Sequence, residues 1–78
     1  MPRGVFNWTA EDIARFLKAH GFSLNHTRGS HWYYVGRAGG TFRQVCVPFH
    51  GSRMIKPRTL QGIIRQSGIS KSEWLRVE

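Results

Sequence analysis

FSLNHTRGSHWYYVGRAGGTFRQVCVP, residues 22–48, decides the fold of this chain. Three runs inside it, Phe22 to His26, His31 to Gly36 and Phe42 to Pro48, are rich in aromatic and β-branched residues. Glycine stands in both breaks between them, which is the composition of short strands joined by tight turns. The reading is an antiparallel meander, with Arg37 to Thr41 short enough for a hairpin turn. Alternation along the middle strand places His31, Tyr33 and Val35 on one face and Trp32 and Tyr34 on the other. Both faces are apolar enough to pack, so the pattern leaves open which one is covered.

Helical signals flank the meander on both sides. Before it, Thr9 and Asp12 form a capping box, Trp8 and Ile13 can staple it, and Ile13, Phe16 and Leu17 recur at helical spacing. The first helix is expected from Ala10 to His20, stopped by Gly21 at a left-handed position, with Phe22 folding back onto Leu17. After a loop from Phe49 to Pro57, Leu60, Ile63 and Ile64 mark a second helix, which Gly68 ends with Ile69 returning toward Ile64. Ser70 and Glu73 then cap a short C-terminal helix, stapled by Ile69 and Trp74. Gly62 costs its helix about 1 kcal/mol against alanine, so a close packing of the helix on the sheet is expected there. The fold class is α+β, a small single domain over residues 1–78 in the order α-β-β-β-α, with two helices packing a three-stranded sheet and a short helical tail.

Charge limits the chemistry. From Ile13 to Ser72 there is no Asp or Glu, while that stretch holds ten of the twelve Lys and Arg and all four histidines. Paired-carboxylate hydrolysis, Mg²⁺ cages and carboxylate-supported triads all need groups it lacks. The four acids, Glu11, Asp12, Glu73 and Glu78, stand at helix starts or the chain end and read as caps. A net charge of +8 on 78 residues asks for a polyanionic partner, nucleic acid ahead of an acidic protein or membrane surface. Cys46 is the single cysteine, which excludes an internal disulfide and suits a reducing cytoplasm. The first residues include Arg3 but no apolar run of signal-peptide length, and no stretch approaches a membrane span, so a cytoplasmic protein is expected.

A phosphodiester can still be cut without metal when the substrate brings its own nucleophile, as RNA does with its 2′-hydroxyl. The enzyme then needs a base for that hydroxyl, cations or N–H groups for the developing charge, and a proton for the leaving oxygen. Histidine is the natural base near neutral pH. His20, in the last turn of the first helix, reads as a partner of the terminal carbonyls, and His26, taken to face the same way as Phe22 and Leu24, as structural. His31 follows Gly29 and Ser30 on a tight turn where phosphate can approach the backbone, and His50 sits in the loop with Arg53, Lys56 and Arg58. These two are the functional candidates. No pair of histidines has helical ligand spacing, so neither a metal nor another cofactor is expected.

Gly29-Ser30-His31 with an aromatic three residues on, then Val47-Pro48-x-His50, then Lys56-x-x-Thr59-Leu60-x-x-Ile63-Ile64 closing on Ser67-Gly68-Ile69-Ser70, resembles the HicA (YcfA-like) toxins of bacterial toxin–antitoxin pairs. The similarity runs from about Glu11 to Trp74. It implies a fold similar to the double-stranded RNA-binding domain, mRNA cleavage that arrests translation with His31 as the catalytic histidine, and a HicB-type antitoxin as partner. Arg28, Gly29, Ser30, His50, Arg53, Lys56 and Arg58 are then expected to contact RNA. Arg58 stands where the family usually has a glycine before Thr59-Leu60, and offers in its place a contact to phosphate or to an acidic partner. The alternative is a non-catalytic RNA-binding module of the same fold. A small DNA-binding or protein-interaction domain fits less well, because no recognition-helix pattern with Arg, Asn or Gln along one face stands out.

Overall fold

The computed structural model describes residues 7–75. Elements follow in the order α1 Ala10–Ala19, β1 Ser23–Arg28, β2 His31–Ala38, β3 Thr41–Pro48, α2 Pro57–Ser67 and α3 Lys71–Trp74. The strands form one antiparallel sheet in the order β1-β2-β3. Glu78, read above as a chain-end charge, lies outside the described residues.

The opening of α1 is the expected capping box. Thr9 Oγ1 accepts the Asp12 N–H at 3.1 Å, and the Asp12 carboxylate accepts the Thr9 N–H at 3.0 Å. Two donors that an isolated helix leaves unpaired are satisfied, an arrangement worth about 1 kcal/mol. At the other end Phe22 N–H reaches Leu17 O at 2.9 Å and Gly21 N–H reaches Lys18 O at 3.2 Å, the two bonds of a Schellman motif. Phe22 is thereby buried, and its ring lies over Gly36, where a Cβ would stand 2.6 Å from a ring carbon.

The covered face of the sheet, undecided in the sequence, is that of Tyr34, Val45 and Val47. They join Ile13 and Leu17 of α1 and Leu60, Ile63 and Ile64 of α2 in one buried cluster. Helix α2 ends differently from α1: Gly68 N–H reaches Arg65 O, but Ile69 N–H is taken by Ser67 Oγ at 3.0 Å. That hydroxyl is fully buried, donates to Ile64 O at 2.7 Å and accepts Trp74 Nε1–H at 3.2 Å. One donor and two acceptor sites are all used, so a polar atom in the core costs no lost hydrogen bond.

The first expectation corrected is that for Gly62. A Cβ built there meets nothing within 4 Å outside its own helix backbone. The glycine permits no close packing on the sheet, because the face of α2 that packs is the Leu60, Ile63, Ile64 and Ser67 stripe. The second is His26. The register of β1 shifts between Leu24, opposite Tyr34, and His26, opposite Tyr33, leaving Asn25 unpaired in a bulge. A bulge reverses the alternation, so His26 leaves the face of Leu24 and joins His31 and Tyr33 on the open face. Helix α1 stops at Ala19, one residue short of the expected end, and His20 is its C-cap, with Nδ1–H donating to Phe16 O at 2.9 Å and Nε2 3.6 Å from the Glu73 carboxylate.

Candidate active site

Two hairpin residues and one hydrogen bond build the site. Arg28 pairs with His31 across a two-residue loop, and Gly29, with φ +58°, supplies the positive first position that such a turn needs. His31 is therefore the first residue of β2, exposed on the open face, with Pro48 of β3 opposite it on its other side. Past Pro48 the chain stays attached: Phe49 N–H donates to Ser30 O at 2.6 Å, and the Phe49 ring stacks on Trp32 with centroids 4.4 Å apart. The Gly29-Ser30-His31 turn and the Pro48-Phe49-His50 segment, separated by most of the sheet in sequence, are in direct contact.

The loop that follows is tied at its far end too. Met54 bridges to Thr9, Ile55 N–H donates to Trp8 O at 2.6 Å, and the Ile55 side chain is buried. Between these anchors a turn carries His50 and Arg53, with Arg53 N–H reaching His50 O at 3.3 Å. The result is a groove of about 380 Å³ lined by Pro48, His50, Arg53, Met54, Ile55, Lys56 and Thr59. His31 is not among the lining residues; it stands across the strand pair from Pro48, which is. Arg58 is exposed in the first turn of α2 and does not line the groove.

Cations predominate on the turn and the loop, while Glu11 of α1 lines a neighbouring hollow with Trp32 and Phe49. Among the described residues the side-chain ion pairs are Arg15 with Asp12 and His20 with Glu73, and neither involves Arg28, Arg53, Lys56 or Arg58. No carboxylate lies between Ile13 and Ser72, so nothing in the turn, the strands or the loop offsets those cations. Such a patch raises the local concentration of an anion and stabilises charge that develops on it. Among the described residues no three His, Cys, Asp or Glu side chains gather in a group that could hold a metal.

Residues 10–69 match the family described as HicA toxin of bacterial toxin-antitoxin. The chain belongs to the HicA toxin family. It is thus the toxin of a toxin–antitoxin system. No curated protein and no solved structure matches it. The matched span of this toxin includes every candidate residue from Arg28 to Arg58 and stops short of α3, whose Trp74 nevertheless completes the core. No described helix is long and apolar enough to cross a membrane.

Reading the sequence missed His26 as a neighbour of the site. Its ring stacks on Tyr33 with centroids 4.5 Å apart and planes 12° from parallel. The signal was present in Asn25, a residue that strands disfavour, but a bulge and a simple strand look alike in composition.

Proposed function

We propose that this toxin is a metal-independent endoribonuclease that cleaves mRNA in the cytoplasm and so inhibits translation. In this reading His31 takes the proton of the 2′-hydroxyl, which attacks the adjacent phosphorus and expels the 5′-oxygen. The bond to phosphorus forms as the bond to the leaving oxygen breaks, and a proton is returned to that oxygen, with His31 or His50 as donor. Arg28, Arg53 and Lys56 carry the charge that accumulates on the phosphate, and the open backbone at Gly29 and Ser30 gives it room. The observation behind this reading is the Phe49–Ser30 hydrogen bond, which sets the histidine turn against the cationic loop.

Expected in a cleavage assay with radiolabelled mRNA is a loss of about 10² to 10⁴ in rate for His31→Ala, with fold and most RNA affinity kept. Cutting should survive excess EDTA and stop at a 2′-deoxy linkage, and His50→Ala should lose only part of the activity. Robust cutting by His31→Ala sinks the mechanism. A folded wild-type protein that cuts no mRNA transfers the case to the non-catalytic RNA-binding alternative.

A HicB-type antitoxin is the inhibitor in this reading, covering the exposed cations near His31, Arg53 and Arg58. Co-expression and size exclusion should give a one-to-one complex that weakens with salt. A co-encoded protein that leaves cleavage untouched at saturation would remove this part.

A further inference from the structure

We propose that the open face of the sheet is a base-stacking platform for single-stranded RNA beside the bond held at His31, with the His26–Tyr33 pair as its first step. The inference rests on the ribonuclease reading only for the position of the scissile bond. Three observations carry it. First, the bulge at Asn25 is what turns His26 onto this face, and Asn25 Nδ2–H donates to His26 Nδ1 at 2.9 Å, which orients the ring. Bulges that re-aim one side chain concentrate beside functional sites. Second, the pair is nearly parallel at 4.5 Å, with His26 exposed. Tyr33 lies two residues from His31 on the same face of β2, about 6.6 Å along the strand. Third, the face continues through Val35 to Arg37, whose cross-strand partner Phe42 is 61% exposed.

The chemistry of that face selects its occupant. An isolated exposed aromatic is ordinary. Here the aromatic rings share one side of a sheet with Arg28, Arg37 and His31, and the strands contain no carboxylate. Cations track a phosphate backbone, and flat exposed rings accept any base, because every base has a π face. Duplex RNA keeps its base faces inside the stack and shows a protein its backbone and minor groove, so it cannot use these rings. An acidic protein would engage the arginines and gain little from the stacked pair. A single strand uses both.

The test takes the full chain without antitoxin and a short single-stranded RNA carrying 2-aminopurine at successive positions, beside the same RNA as a duplex. Wild type should bind the single strand more tightly and quench the probe nearest His26. His26→Ala should weaken that binding roughly five-fold to a hundred-fold, the range for one stacked base, and relieve the quenching. The salt slope should stay unchanged, because no phosphate contact is removed. His26→Phe, which keeps a ring, should restore affinity and quenching. In cleavage, His26→Ala should raise KM and leave kcat largely intact.

A folded His26→Ala protein with wild-type affinity and quenching overturns the proposal. So does tighter binding of the duplex, or a loss of antitoxin binding with RNA binding unchanged. A wild-type protein that binds and quenches through His26 but cuts no RNA supports the platform and defeats the ribonuclease reading instead, so the two failures are distinct.

Discussion

Tyr33 and Tyr34 are neighbours in the chain and belong to different parts of the molecule. Tyr34 is 1% exposed within the buried cluster, whereas Tyr33 lies on the open face under His26. The covered face holds Val45, Val47 and Tyr34 and carries the stability of a small core. The open face holds His26, Arg28, His31 and Arg37, side chains that contribute little to burial and are therefore free to be chosen for chemistry. In a chain this short, the proposed site lies on side chains whose loss removes little buried surface.

Exchanging the two tyrosines for alanine should separate the faces most clearly. Tyr34→Ala should lose about 3–5 kcal/mol, the cost of emptying a large aromatic site, while Tyr33→Ala should stay within about 1 kcal/mol. Thermal or urea unfolding measures both, and equal losses would mean that the open face is also covered. Burial raises the Tyr34 pKa above its ordinary value of 10.0. The folded state therefore holds that proton more tightly than the unfolded chain. The associated stability is complete below about pH 10 and is lost as pH rises through the raised value, a decline that Tyr34→Phe should lessen.

Three glycines sharpen the comparison at a smaller scale. Gly21 and Gly68 end their helices at φ +88° and +72°, where a β-branched residue is strongly disfavoured, so each change to valine should cost about 1–3 kcal/mol. At Gly68 a Cβ would also stand 2.6 Å from Arg43 Nε, the end of a flexible side chain that can move aside, so the two losses should be similar. Wild-type unfolding midpoints for both would refute these helix ends. Gly62 faces open space, and Gly62→Ala should stabilise by about 1 kcal/mol in the same assay.

The smallest effect belongs to single cations of the groove. RNA affinity should fall steeply with salt, and replacing Arg53 or Lys56 should reduce the logarithmic slope by about 0.7 without abolishing cleavage. A flat salt response in wild type would assign the charge to another purpose.

Local signals account for what could be read in advance. Thr9 with Asp12, Gly21, Gly68 and the apolar spacing of both helices each act within four or five residues, so their outcome depends little on the rest of the fold. The strand ends moved, β1 from Phe22–His26 to Ser23–Arg28, because Phe22 is claimed by the helix stop and the Gly29-Ser30 turn pulls Thr27 and Arg28 into pairing. Gly62 misled because a glycine's cost is local while its reason, if any, lies in a neighbouring element. Ser67 gave no warning either. A serine near a helix end is ordinary until Trp74 arrives from α3 to need its oxygen.

By itself the sequence determined the order of elements, the caps of α1 and the missing carboxylates, since composition and short-range spacing are properties of the chain before it folds. Tertiary structure alone decided which sheet face is covered, that the bulge at Asn25 carries His26 across to the open face, and that Phe49 N–H meets Ser30 O. Each of those outcomes depends on register and packing between segments distant in sequence. One residue of slip reverses every side chain of a strand, and no local pattern here records which register the two helices select.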